Sequence, residues 1–150
     1  VAEKMIALGL PLNNDGKIYR GNLKISDKAL AIAADVDRRA IKSTIEIIQN
    51  DEDLFNIFSN VLPAGTLLKN IAKNLNLGVI EIEVGSQNEG ILAAITKIIS
   101  KKGINIRQAY AEDNELEENP ILTVITENPI DNDLISEFLK IKGVNRVSIY

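Results

Sequence analysis

The architecture of this 150-residue chain follows from residues 78–110, GVIEIEVGSQNEGILAAITKIISKKGINIRQAY. Apolar and acidic residues alternate over residues 80–84, which predicts a half-buried strand. After a polar loop, apolar residues recur every three or four positions over residues 91–99, which predicts an amphipathic helix. Two lysines and Gly103 mark the end of that helix, and residues 104–110 predict a second strand. The order is therefore strand, polar loop, helix, strand.

The same unit occurs again toward the C-terminus. Residues 121–126 are rich in β-branched side chains and predict a strand. Residues 134–139 carry the apolar face of a helix that Gly143 ends, and residues 146–150 predict a final strand. The combined order is βαββαβ, for which right-handed crossovers favour two helices on one face of an antiparallel, ferredoxin-like sheet. We therefore expect an α+β protein with a ferredoxin-like C-terminal domain.

This C-terminal half resembles ACT domains, the amino-acid-sensing modules of many biosynthetic enzymes and regulators. The resemblance lies in NEGIL at residues 88–92, GINI at residues 103–106 and GV at residues 143–144. It is similar in particular to the serine-sensing regulatory domain of 3-phosphoglycerate dehydrogenase. Two positions depart from that domain, because Gly85 stands where it has a histidine and Glu89 where it has a proline.

The resemblance implies that the domain binds a small amino acid across a dimer interface, with no other cofactor. It places the ligand against the loop after the first strand and against the asparagine that opens the second strand. The residues themselves suit this chemistry, because free N–H groups at a helix start favour a carboxylate and side-chain amides suit an ammonium or other polar group. The predicted ligand-binding residues are Ser86, Gln87, Asn88, Glu89, Gly90, Ile91 and Asn105.

The N-terminal half carries a pattern typical of helix-turn-helix segments. Residues 17–25 predict a β-hairpin, and residues 26–34 and 38–49 predict two short capped helices joined by a three-residue turn. The stretch ISDKALAIAADVDRRAIKSTIEII, residues 25–48, resembles bacterial and archaeal helix-turn-helix segments, in which the second helix enters the major groove. The predicted DNA-binding residues are Arg38, Arg39, Lys42 and Ser43.

Charge is distributed unevenly along the chain. The net charge is −4, yet residues 1–77 hold ten basic and nine acidic side chains, whereas residues 78–150 hold seven and twelve. Seven of the basic residues fall within residues 17–42, which indicates a local basic patch. Helix-turn-helix patterns also occur in domains that bind only protein, so a solvated or protein-binding face is the alternative interpretation. Useful DNA affinity from so few cations would require a dimer.

Composition argues against an enzyme. The chain has no histidine and no cysteine, which removes the commonest general base near neutral pH and every thiol nucleophile. The carboxylates clustered in residues 112–119 lack regular ligand spacing, so we expect no metal site. The polar loop at residues 85–90 lacks the Lys-Ser or Lys-Thr pair of a phosphate-binding loop.

Three segments are predicted: a helix-turn-helix-like domain in residues 1–53, a helical connector in residues 54–77, and an ACT-like ligand-binding and dimerisation domain in residues 78–150. The connector is predicted to contain helices at residues 54–61 and 66–75, after an acidic loop at residues 51–53. It could transmit a signal or simply pack between the domains. No apolar run approaches the ~20 residues that a membrane helix needs, so we expect a cytoplasmic protein without membrane partners.

The order of these modules resembles predicted archaeal regulators of amino-acid metabolism, in which a helix-turn-helix segment precedes an ACT domain. This resemblance covers nearly the whole chain. It implies a transcriptional regulator that dimerises or forms higher homo-oligomers, binds DNA, and responds to a small amino acid. The alternative hypothesis is a regulatory subunit that binds no DNA and docks onto an amino-acid biosynthetic enzyme.

Overall fold

The computed structural model describes residues 1–85, 89–113, 115 and 117–150. Two compact units divide the chain, an N-terminal unit of Val1–Gly65 and a C-terminal unit of Thr66–Tyr150. The predicted ligand-binding residues Ser86, Gln87 and Asn88 lie outside the described residues.

Short helices and one hairpin form the N-terminal unit. The predicted hairpin is present, with antiparallel pairs from Ile18–Ile25 to Arg20–Leu23. Ile41, Ile45 and Ile48 line one side of the longest helix and pack with Leu30 and the rest of an apolar core. The elements are α1 (Ala2–Ala7), β1 (Ile18–Arg20), β2 (Leu23–Ile25), α2 (Asp27–Ala33), α3 (Arg38–Asn50) and α4 (Glu52–Ser59).

An antiparallel sheet with two helices on one face forms the C-terminal unit. Among the described residues the sheet has four strands, in the order β4-β5-β3-β6, and every neighbouring pair is antiparallel. This is the predicted ferredoxin-like βαββαβ arrangement. The elements are β3 (Gly78–Val84), α5 (Ile91–Lys101), β4 (Ile106–Ala111), β5 (Ile121–Thr126), α6 (Leu134–Phe138) and β6 (Val144–Ile149).

The main core of this unit lies between the sheet and its helices. Ile80 and Ile82 of β3 face Ile95 and Ile99 of α5, and all four side chains are fully buried. Each buried isoleucine of this kind contributes about 1.5–3 kcal/mol relative to an exposed one. The alternation of apolar and acidic residues in β3 therefore separates a buried helix side from the opposite face of the sheet.

A second, smaller core lies on that opposite face. We call residues 66–77 the strap, because they pass over this face before entering β3. Ala72 and Leu77 of the strap pack against Val79 and Ile125 of the sheet. The strap covers the end of the face where β3 begins.

The segment predicted as a helical connector differs from the prediction in two ways. The acidic residues 51–53 are not a loop, because the Asp51 carboxylate accepts a hydrogen bond from the Leu54 N–H at 2.9 Å and caps α4. The helix predicted over residues 66–75 is replaced by two 3-10 turns, Lys69–Ile71 and Lys73–Leu75. Packing of the strap onto the sheet outweighs its local helical periodicity. The segment is also divided between the two units, with α4 in the first and the strap in the second.

Candidate functional site

The first candidate surface is formed by α2, the turn that follows it, and α3. The Ser26 hydroxyl accepts a hydrogen bond from the Ala29 N–H at 3.2 Å, and the Asp37 carboxylate accepts one from the Arg39 N–H at 2.8 Å. These caps satisfy N–H groups that the first turn of each helix leaves without an internal partner. Asp35 adopts a left-handed backbone conformation with φ of 51° in the turn between them. The two predicted helices and the tight turn between them are therefore present.

The predicted DNA-binding residues lie on the solvent side of α3. Successive helical residues are rotated by about 100°, so Arg39 and Ser43 fall opposite the buried isoleucines of the core, whereas Arg38 and Lys42 fall to one side of them. All four side chains are exposed: Arg38, Arg39, Lys42 and Ser43. The structure brings these residues together on the first two turns of one helix.

Carboxylates accompany the two arginines. The Nε of Arg39 donates to the Asp37 carboxylate at 3.0 Å, although the Arg39 side chain remains 91% exposed. The Nε of Arg38 lies 4.0 Å from an oxygen of Asp27. Hydrogen bonds from the backbone N–H and then the guanidinium of Arg39 hold the pKa of Asp37 below its ordinary value. Phosphate contact would require the arginines to exchange these carboxylates for phosphate oxygens.

The second candidate surface is the start of α5. Gly90 is the N-terminal cap of this helix, with a left-handed φ of 78° and open space where a side chain would project. Glu89 is exposed beside it. The Ile91 side chain belongs to the main core and is 7% exposed. Of the predicted ligand contacts, Ile91 can therefore contribute only its backbone N–H.

Asn105 lies beyond the opposite end of the same helix. The eleven residues of α5 separate it from Gly90, a helix length of about 16 Å. The Asn105 side chain donates from Nδ2 to Glu127 at 2.7 Å, and its carbonyl accepts from the Glu127 N–H at 2.9 Å. A small amino acid cannot span this distance, so one chain does not assemble the predicted site. A second chain in antiparallel alignment would be needed to bring the two ends together.

Glu127 and Gln108 are polar residues near this site that sequence reasoning missed. Glu127 follows the last residue of β5, and it meets Asn105 because β4 and β5 pair from Ile106–Thr126 onward. Gln108 accepts from the Leu68 N–H at 2.9 Å and donates to the Thr66 carbonyl at 2.8 Å. The register of β4 and β5 creates the first of these contacts and the path of the strap creates the second, so local sequence could reveal neither.

Lys69 of the strap also contacts the open face of the sheet. Its ammonium forms an ion pair with Glu81, which lies on β3 next to the second core. The hydrogen bond to Glu81 raises the pKa of Lys69 above its ordinary value. The strap is thus held by apolar packing, by the Gln108 amide and by this ion pair.

The described residues contain no group of three or more acidic side chains arranged to hold a metal ion. Within the same part of the chain, every helix is too short or too polar to cross a bilayer.

Comparison with known proteins yields only distant structural similarity. No protein-family model matches the chain, and no curated protein matches it. A transcriptional regulatory protein of the AsnC family from Pyrococcus furiosus overlays with 16% identity and a TM-score of 0.30, covering 84% of this chain and 77% of its own. AsnC of E. coli overlays with 13% identity and a TM-score of 0.28, covering 99% and 87%. Since both TM-scores are below 0.5, neither overlay supports an inference about function.

Proposed function

We propose that this protein is a transcriptional regulator of amino-acid metabolism that binds DNA through α2 and α3 and a small amino acid through its ACT-like unit. The observation that carries the proposal is the presence, in one chain, of a capped helix-turn-helix with exposed basic residues and a ferredoxin-like unit with ACT-like sequence features. We expect no enzymatic activity and no cofactor other than the effector.

The DNA-binding part depends on the exposed face of α3. Arg38, Arg39 and Lys42 can reach phosphates or base edges from the first two turns, and Ser43 adds a hydroxyl donor. Each phosphate contact lowers the slope of log affinity against log salt concentration by about one unit, and many strong DNA binders make about six to ten such contacts. The three cations of one α3 therefore provide little affinity alone. A homodimer would present two such helices and double the number of contacts.

Paired lysine substitutions test this part. In Lys42→Ala we expect weaker binding to a random-sequence DNA duplex and a salt slope reduced by about one unit. Lys4→Ala removes the same charge from an exposed position on α1 and should leave both quantities unchanged. Fluorescence anisotropy across a salt series measures the affinity and the slope. If Lys42→Ala and Lys4→Ala show the same affinity and salt slope, α3 is not the DNA contact. If the wild-type protein binds no DNA, the DNA-binding proposal is wrong.

The effector-binding part depends on the two ends of α5. The first turn of a helix has N–H groups without a partner inside the helix and a partial positive charge, and no described side chain caps α5; both features favour the carboxylate of an amino acid. Asn105 at the far end supplies an amide for the rest of the ligand. Because one chain separates these groups by the length of α5, the proposed ligand lies between two chains. Its binding would favour one dimer geometry by roughly 1–3 kcal/mol and so alter the spacing of the DNA-binding helices.

Calorimetric titration with each proteinogenic amino acid tests the effector part. We expect one or a few small amino acids to bind, and Asn105→Ala to weaken that binding. Asn74→Ala, an exposed asparagine in the strap, is the matched control and should bind as the wild-type protein does. Absence of binding by every amino acid to an intact dimer would reject the sensor.

A second candidate function is a regulatory subunit that docks onto an amino-acid biosynthetic enzyme. It is favoured by apolar side chains beside the arginines, because Ile32 is 72% exposed on α2 and Val36 is 37% exposed in the following turn. Exposed apolar side chains suit a protein partner better than DNA phosphates. Retention of a biosynthetic enzyme by the immobilised wild-type protein but not by Ile32→Ser, together with no salt-dependent DNA affinity, would favour this function.

A further inference from the structure

The hydrogen bond between Asn105 and Glu127 fixes the orientation of the Asn105 amide. A carboxylate only accepts hydrogen bonds, so the group that faces Glu127 at 2.7 Å must be the amide nitrogen Nδ2. The amide oxygen Oδ1 therefore faces away from Glu127 and is oriented as an acceptor. The backbone hydrogen bond from the Glu127 N–H to the Asn105 carbonyl, at 2.9 Å, holds the two residues in register.

Near this end of α5, the Glu127 carboxylate is the group that suits positive charge. The helix end itself adds little, because Lys101 lies in its last turn and the carbonyls of Ile99 and Ser100 already accept hydrogen bonds from capping N–H groups. Glu127 carries a full charge, and no lysine or arginine of the described residues forms an ion pair with it. The nearby Lys102 directs its ammonium to Glu137 instead, at 3.5 Å. The Glu127 charge is thus available to a cationic group of a ligand.

We propose that Glu127 determines ligand specificity by binding the α-ammonium of the effector together with Oδ1 of Asn105. This inference rests on the proposed function, and it restricts the effector to amino acids, excluding the corresponding 2-oxo and 2-hydroxy acids. The ammonium binds at the C-terminal end of α5 in one chain. The carboxylate of the same ligand binds at the N-terminal end of α5 in the second chain. The Glu127 carboxylate of one chain and the start of α5 in the other thereby match the two charges of a zwitterion.

The test compares amino acids with their 2-oxo and 2-hydroxy analogues in Glu127→Gln. Glutamine keeps the shape and an oxygen that can accept from Asn105, but it removes the charge. In the wild-type protein we expect the preferred amino acid to bind about 10- to 100-fold more tightly than its analogues, the range of one charge-assisted hydrogen bond. Glu127→Gln should lose most of that preference by binding the amino acid more weakly, with binding of the analogues unchanged or improved.

Two further variants make the result decisive. Glu127→Asp retains the charge and should keep the preference for amino acids, even if its shorter side chain lowers affinity. Glu3→Gln removes an exposed carboxylate from α1 and should behave as the wild-type protein. If Glu127→Gln binds amino acids with the wild-type preference, the inference is wrong and the proposed sensor stands. If the wild-type protein binds no amino acid, the sensor and this inference both fail.

Discussion

Asp37 combines two roles at the start of α3. Its carboxylate accepts hydrogen bonds from the backbone N–H of Arg39 at 2.8 Å and from the guanidinium of the same residue at 3.0 Å. The cap stabilises α3 and orients Arg39, one of the predicted DNA contacts. The cap therefore explains why an acidic residue lies beside the predicted DNA contacts, because the first turn of a helix needs an acceptor for its N–H groups.

This cap predicts a pH dependence of stability. Because the folded protein lowers the pKa of Asp37 below 3.8, the carboxylate contributes stability that is present above that pH and is lost as pH falls through the folded value. The stability difference between the wild-type protein and Asp37→Ala should be constant near neutral pH and shrink below pH 3.8. Urea unfolding across this range measures it.

Ser26→Ala is the control for that experiment, because its hydroxyl caps α2 without titrating. We expect it to cost about 0.5–2 kcal/mol at every pH at which the protein folds. If the stability difference between the wild-type protein and Asp37→Ala stays the same at low pH, the stabilisation does not come from the charged form of the Asp37 carboxylate.

Gly78 is a position where packing forbids a side chain. An added Cβ would lie 2.4 Å from Oγ1 of Thr126 and 2.7 Å from the Asn128 carbonyl oxygen. We expect Gly78→Ala to lower the free energy of unfolding by about 1–3 kcal/mol or more, because β3 must shift away from β5. Gly103→Ala has open space and meets only the backbone strain of φ +70°, so it should cost less. Guanidinium unfolding measures the loss of stability in each variant. A loss in Gly103→Ala that equals or exceeds the loss in Gly78→Ala would contradict this prediction.

At the scale of elements, the strap depends on one glutamine. The Gln108 amide pairs with the Leu68 N–H and the Thr66 carbonyl as a neighbouring strand would, across forty residues of sequence or more. Gln108 lies on β4, three residues after Asn105, and a register shift separates Ile106 from Gln108. The strand that carries the proposed ligand contact therefore also holds the segment that leads into β3.

Removal of this amide should loosen the strap. Gln108→Ala leaves the half-buried Leu68 N–H without its acceptor, so we expect a loss of about 1–3 kcal/mol. Faster hydrogen exchange at the Leu68 amide should accompany that loss. Asn145→Ala on the exposed part of β6 is the control and should stay within about 0.5 kcal/mol of the wild-type protein. A Leu68 amide that exchanges at the wild-type rate in Gln108→Ala would refute this role of the Gln108 side chain.

At the scale of the whole molecule, each unit has a core of its own. Phe58 of α4 belongs to the core of the N-terminal unit, whereas Ala72 and Leu77 of the strap belong to the C-terminal unit. The division between Gly65 and Thr66 thus falls inside the segment that the sequence predicted as one connector. Leu62 is 82% exposed in the irregular stretch just before this division.

Limited proteolysis tests the division. We expect the first cuts in the native protein to fall in residues 60–67, because exposed irregular backbone is cleaved most readily. The fragments 1–65 and 66–150 should each unfold cooperatively. Fragments 1–53 and 78–150, which follow the predicted boundaries, should be less stable because they lack Phe58 and the strap. First cuts within α3 or the sheet would contradict this division.

Local sequence determined the type and order of most elements. The alternation in β3, the three- and four-residue spacing in α5, and the caps Ser26 and Asp37 act within a few residues, so they could be recognised without a structure. The same signals placed Arg38, Arg39, Lys42 and Ser43 together at the start of one helix. They also indicated βαββαβ, from which the handedness of crossovers leads to the observed strand order.

Tertiary structure decided the contacts between residues that are distant in sequence. Asn105 meets Glu127 twenty-two residues later, and Gln108 meets Leu68 forty residues earlier, only because strand register and the path of the strap bring them together. The strap has the periodicity of a helix, yet packing of Ala72 and Leu77 on the sheet outweighs that preference. Local propensity is worth a fraction of a kcal/mol per residue, whereas burial of a large apolar side chain is worth about 1.5–3 kcal/mol, so the packed arrangement prevails.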